Sequence, residues 1–123
     1  MIGELRWSLT PFYDLTAQRN SFKRRPVLFI AKADSNDYVA LPLSRITRRD
    51  NLDPVYDIEV DPAVYPNLNL SAVSYIRTHK QTIINRGEVA GLIGNMKAEY
   101  PDLYLTILEK REQFSKEISN QAI

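Results

Sequence analysis

PVLFIAKADSNDYVALPL, residues 26–43, is the stretch that decides the fold. Pro26 to Ala31 is a continuous apolar run, too short for a helix, and reads as a central strand. Asp34 to Asp37 (DSND) is a turn, and Tyr38 to Leu43 is the partner strand of a hairpin. Pro42 is expected near the end of that strand or at a bulge, where a missing ladder donor is tolerated.

Upstream, Leu5, Trp7 and Leu9 alternate with Glu4, Arg6 and Ser8, the period of a half-buried strand. Thr10-Pro11 is expected to end it, and Asp14 to Lys23 reads as a polar loop. Downstream, Ser44 to Pro54 is a second charged loop. Val55 to Val60 alternates again, with Val55, Asp57 and Glu59 on one face. Asp61 to Asn69 is irregular or a single turn. Ala72 to Ile84 is a longer β-prone stretch, Arg86-Gly87 a turn, and Glu88 to Ile93 one more short strand. Only the tail has helical spacing. Pro101 suits a first turn, and Leu103, Ile107, Phe114 and Ile118 then fall near one face.

The expected architecture is therefore mainly β: a small barrel over about 3–94, capped by a C-terminal helix over about 101–118. The 123 residues suit one domain. No basic start precedes an apolar run at the amino terminus, and no apolar stretch approaches a membrane span. A cytoplasmic protein with no membrane partner is expected.

Composition narrows the chemistry. There is no cysteine and one histidine, which excludes disulfides, thiol chemistry and a His-rich metal site, so neither metal nor cofactor is expected. The net charge is only +1, yet it is segregated. Arg19 to Asp50 holds eight positives against three acids, a local net of +5. Loops that converge would make a basic groove for a polyanion; the plainer reading is a set of solvated arginines. Tyr13, Tyr38 and Tyr75 are candidates to stack on bases.

The motif order carries a resemblance. Gly3-Glu4-Leu5-Arg6-Trp7 opens the first strand, and Lys23-Arg24-Arg25-Pro26-Val27-Leu28 opens the second. Leu41-Pro42-Leu43-Ser44 ends the third, and Ser71-Ala72-Val73 with Ile76-Arg77-Thr78 follows, then Lys80 and Gln81. This series resembles the MazF/PemK toxins of type II toxin–antitoxin systems over nearly the whole chain. The resemblance implies an SH3-like barrel, a homodimer and a cognate antitoxin. It implies sequence-specific, metal-free cleavage of single-stranded RNA (mRNA), with Arg25 as catalytic arginine and Ser44 as catalytic hydroxyl. The cut would leave 2′,3′-cyclic phosphate and 5′-OH ends.

That chemistry needs a base, an acid and positive charge at the phosphorane. Arg25 can grip a phosphate by two points, and Ser44 can donate to a non-bridging oxygen. His79 is the candidate base, although a lone histidine is more often simply packed or exposed. Lys23, Arg24, Arg45, Arg48, Arg49, Arg77 and Lys80 are the candidate RNA-binding residues. Arg77 and His79, two apart, share a face. The chain departs from the family at Ser74-Tyr75, where many members carry an acidic residue and Gln, and at Ser44, where they carry Thr. Two other readings stay open: a CcdB-like toxin that inhibits DNA gyrase, and a non-catalytic RNA-binding barrel.

Overall fold

The computed structural model describes residues 1–123, the side chains of Pro11 and Phe12 excepted. Seven strands form one curled sheet: β1 (Glu4–Asp14), β2 (Arg19–Lys32), β3 (Asp37–Ser44), β4 (Asp57–Val60), β5 (Ser74–Arg77), β6 (Thr82–Asn85) and β7 (Val89–Asn95). A short helix α1 (Met96–Glu99) leads into the long α2 (Pro101–Ala122). The strand order is β4-β5-β3-β2-β1-β7, with β6 also on β3, and every pairing is antiparallel. The protein is thus mainly β, a half-barrel with a C-terminal helix.

The apolar run in the second half of β2 is continuous because both of its faces are buried. Leu28 joins Leu5, Leu41, Leu43, Val60, Leu68, Ile76 and Met96 in the main core, onto which α2 sets Leu103, Tyr104 and Ile107. Val27 and Phe29 point the other way and pack with Ala40 and Ile84. A strand buried on one side alternates; one buried on both does not. Each fully buried Leu or Ile contributes about 1.5–3 kcal/mol relative to exposure. No helix is long and apolar enough to cross a membrane.

Four expectations are corrected. First, Thr10-Pro11 does not end β1, and Asp14 to Lys23 is no loop. β1 and β2 pair from Leu5↔Leu28 out to Asp14↔Arg19, leaving only Leu15–Gln18 as the turn. Asp14 Oδ1 closes that turn by accepting the N–H groups of Thr16 and Ala17, and Gln18 takes the left-handed conformation at φ 53°. Pro11 is tolerated because it lies beyond the last β1–β7 pair, Ser8↔Val89, so no ladder on that side needs its N–H.

Second, Ala72 to Ile84 is two strands. β6 pairs β3 over Asp37 to Ala40, and β5 pairs it over Leu43 and Ser44. The gap falls at Leu41 and Pro42. Proline has no N–H to offer there, so Pro42 sits within β3 at a break in the neighbouring ladder. Thr78 leaves the sheet at that break and gives its N–H and hydroxyl to Tyr56 O at 3.2 and 2.6 Å.

Third, β4 begins at Asp57 rather than Val55, and Asp57 is buried. Fourth, α2 runs on to Ala122, though Ile118 remains half exposed.

One loop closes the site from below. The 3-10 turn Pro66–Leu68 ends at Asn69, left-handed at φ 57°. Gly94 lets this turn approach β7, since a Cβ there would stand 3.0 Å from the Leu68 backbone.

Candidate functional site

Where β2 and β3 separate, the sheet opens into a cleft. Their pairing stops at Val27↔Pro42, and the same register continued by two residues sets Arg25 across from Ser44. Period two puts both side chains on the strand face that carries Val27 and Pro42.

The larger part of the cleft, about 520 Å³, is bordered by Lys23, Arg24, Arg25, Ser44 and Arg45. Trp7 and Leu43 form its apolar floor, and Asn69, Ser71 and Ser74 its polar far wall. A smaller part of about 330 Å³ continues past Ser44 and Arg45 to Thr47, Arg48, Asn51 and Arg77. Arg25 also borders a shallow hollow of about 360 Å³ with Val27, Pro42 and Ile84, and there Glu88 supplies a carboxylate.

Local contacts fix several of these groups. The Arg24 guanidinium lies over the Trp7 ring, 4.9 Å from its centroid. Arg45 donates to Ser71 Oγ at 2.5 Å, tying the loop after β3 to the far wall. Asn69 donates from Nδ2 to Ile93 O at 2.8 Å. Arg77 donates through Nε to Asp57 Oδ1 at 3.1 Å and through an Nη to Asn51 O at 3.3 Å. Asp57 also accepts the Asp53 N–H on Oδ2 at 2.7 Å. The Tyr56 and Val55 N–H groups cap Asp53 in turn, and the Tyr56 bond is the main cause of a carboxyl held below its usual range.

The electrostatic character is one-sided. Lys23, Arg24, Arg25, Arg45, Arg48 and Arg77 border the two parts, and no carboxylate does, among the described residues. Asp57 lies behind Arg77, with its side chain fully out of solvent. Six cations around one concavity repel one another unless an anion enters, and low-dielectric walls focus their field on it.

Three expected site residues lie elsewhere. His79 is outside the strand, in the turn after β5, and borders no part of the cleft. It packs under α2 against Phe114 and Tyr56, with ring centroids at 6.0 and 5.9 Å. The cavity there, about 230 Å³, is bordered by Thr78, Gln81, Arg111, Phe114, Ser115 and Ile118 as well. The expected strand face shared with Arg77 does not form, because β5 ends at Arg77 and the turn carries His79 away, although both side chains approach Asp57 Oδ1. Arg49 stands on a 3-10 turn and Lys80 in the β5–β6 turn, both exposed and neither bordering the cleft.

Residues the sequence reading missed are Trp7, Asn51, Asn69 and Ser71. Trp7 had a signal, since it stands two positions along the strand from Leu5. The others come from irregular segments whose path no periodicity reports. Among the described residues, no group of three or more His, Asp or Glu could hold a metal ion. No protein-family model matches the chain, and no curated protein matches it.

Proposed function

We propose that this chain is an endoribonuclease that cuts single-stranded RNA without a metal, on the pattern of the MazF/PemK toxins. The observation that carries the reading is the cleft that gathers Arg25 and Ser44 within a cationic, carboxylate-free lining. In this mechanism the ribose 2′-OH attacks the adjacent phosphorus and the 5′ oxygen leaves, giving a 2′,3′-cyclic phosphate and a 5′-OH. Arg25 grips two phosphate oxygens and stabilises the charge that grows on them. Ser44 Oγ–H donates to a non-bridging oxygen. The proton lost from the 2′-OH passes to solvent and the leaving 5′ oxygen takes its proton from solvent, because neither imidazole nor carboxylate borders the two parts of the cleft. The flanking nucleotides lie along Lys23, Arg24, Arg45, Arg48 and Arg77, with Trp7 as an apolar surface for a base.

The same missing base favours a second reading, a barrel that binds RNA without cutting it. Incubating the protein in EDTA with a long single-stranded RNA and its DNA counterpart separates the two. Cutting of the RNA alone supports the nuclease. RNA that is bound and stays whole across the pH range supports the binding barrel. A homodimer, a cytoplasmic location and a cognate antitoxin with an acidic segment fitting the cleft belong to the same proposal. Sedimentation of the protein alone tests the dimer.

A further inference from the structure

Among the described residues, two buried side-chain polar atoms lack a hydrogen-bond partner: Ser8 Oγ and His79 Nδ1. A buried orphan of this kind calls for a physical reason. His79 Nδ1 lies 3.8 Å from Asp57 Oδ1, too far for a hydrogen bond, and that oxygen already accepts Arg77 Nε. One buried carboxylate thus faces two groups. One belongs to the cleft and the other to the helix packing.

We propose that Asp57 is the positioning residue of the cleft, holding Arg77 away from the polyanion, and that a proton on His79 loosens that hold. This rests on the polyanion reading of the cleft. While His79 is neutral, Asp57 has one cationic partner and Arg77 stays tied to it. A proton taken from solvent makes the imidazolium an N–H donor with a full charge, aimed at Oδ1. Asp57 cannot turn to water, because its side chain has no exposure. Its other oxygen accepts the Asp53 N–H at 2.7 Å and a longer bond from an Arg77 Nη at 3.5 Å. The pair must therefore rearrange around Oδ1. Arg77 is the member able to leave, with its side chain one-quarter exposed and already bordering the cleft. The released guanidinium adds a cation to the phosphate path.

The charges facing His79 come from each neighbouring element. Asp57 and Arg77 face it from β4 and β5, and Asp53 from the loop before β4. Arg111 borders its cavity from α2 and donates to Gln81 Oε1 at 2.6 Å. Glu117 is occupied by Tyr56 OH. Asp57 is thus the carboxylate within ion-pair reach of His79, and Arg77 the cation it must displace.

The test follows Arg77 in the free protein and then on RNA. The Arg77 Nε–H resonance should shift as the pH is lowered, in step with the His79 ring signals. His79→Gln should remove that step while preserving the fold. An Arg77 resonance that ignores the His79 titration overturns the proposal. Binding of a 2′-O-methyl RNA oligonucleotide supplies the second readout. On acidification its salt slope should steepen by about 0.7, one added phosphate contact on a single strand. That steepening should vanish in both His79→Gln and Arg77→Gln. Steepening that persists in Arg77→Gln shows His79 acting by its own charge and overturns the handover. A coupled Arg77 step with no RNA binding at any pH supports the handover and refutes the RNA reading instead.

Discussion

Salt should strip RNA from the cleft steeply, by an amount the lining sets. Arg77 is tied to Asp57, and the other cations that border the cleft are Lys23, Arg24, Arg25, Arg45 and Arg48. Each phosphate neutralised on a single strand releases counterions worth about 0.7 in the slope of log affinity against log salt. Five contacts give a slope of about 3.5, so raising salt from about 50 to 200 mM weakens binding roughly a hundredfold, about 2.8 kcal/mol. Fluorescence anisotropy of a labelled 2′-O-methyl RNA measures this without cleavage. Arg25→Ala should lower the slope by about 0.7. Lys116→Ala should leave it unchanged, because Lys116 stands on the exposed face of α2. A slope near zero, or equal slopes for Arg25→Ala and wild type, would refute the cleft as the binding surface.

Other expectations follow from the same geometry. Ser44→Ala removes one neutral donor and should slow cutting about tenfold, ~1.4 kcal/mol, in single-turnover assays with little change in RNA affinity. His79→Gln should leave the cutting rate at pH 8 unchanged, because His79 packs under α2; a large loss there would return it to the chemistry. Ile107→Ala empties a fully buried site between α2 and the sheet, and should cost about 2–5 kcal/mol, seen as a lower midpoint in thermal circular dichroism. The hydrogen bond from Tyr56 OH to Glu117 is the main reason its phenol is pushed up to about 12 from 10.0. Protonated Tyr56 therefore favours the folded state, a contribution whole below pH 10 and lost as pH rises toward 12. Burial also pushes the Tyr104 phenol up, so tyrosinate absorbance during alkaline unfolding should show two late-titrating tyrosines in wild type and one in Tyr56→Phe.

Much of the architecture was legible because burial writes periodicity into strands. The run at Val27 to Phe29 reported that both of its faces are covered, whereas the alternation at Leu5 to Leu9 gave the burial of Leu5 but not that of Ser8, which is fully buried on the face read as polar. The β1–β2 extension was not legible. Residues 10–14 and 19–23 pair with each other and with no other strand, so no second ladder imposes a pattern, and Pro11 argued for a stop. The split between β5 and β6 depends on Pro42 of a different strand, a non-local cause invisible in the segment itself. In the site, Arg25 and Ser44 come together because the β2–β3 hairpin fixes their register, which a short turn transmits reliably. The position of His79 depends on where β5 ends and α2 lies down, and neither is written in the spacing from Arg77. Alternation puts Asp57 on one face with Val55 and Glu59 and says nothing of its burial. Its burial is made tolerable by Arg77 and the Asp53 N–H, a partnership across two strands.

The central claim is that arginine in this cleft cuts RNA by way of the 2′-OH without a metal. It is tested most directly by mapping the ends left on a long single-stranded RNA in EDTA, with wild type and Arg25→Ala side by side. Wild type should leave fragments ending in 2′,3′-cyclic phosphate and beginning in 5′-OH, and a folded Arg25→Ala should leave the RNA whole. Undiminished cutting by Arg25→Ala, or fragments with 5′-phosphate ends, would contradict that claim.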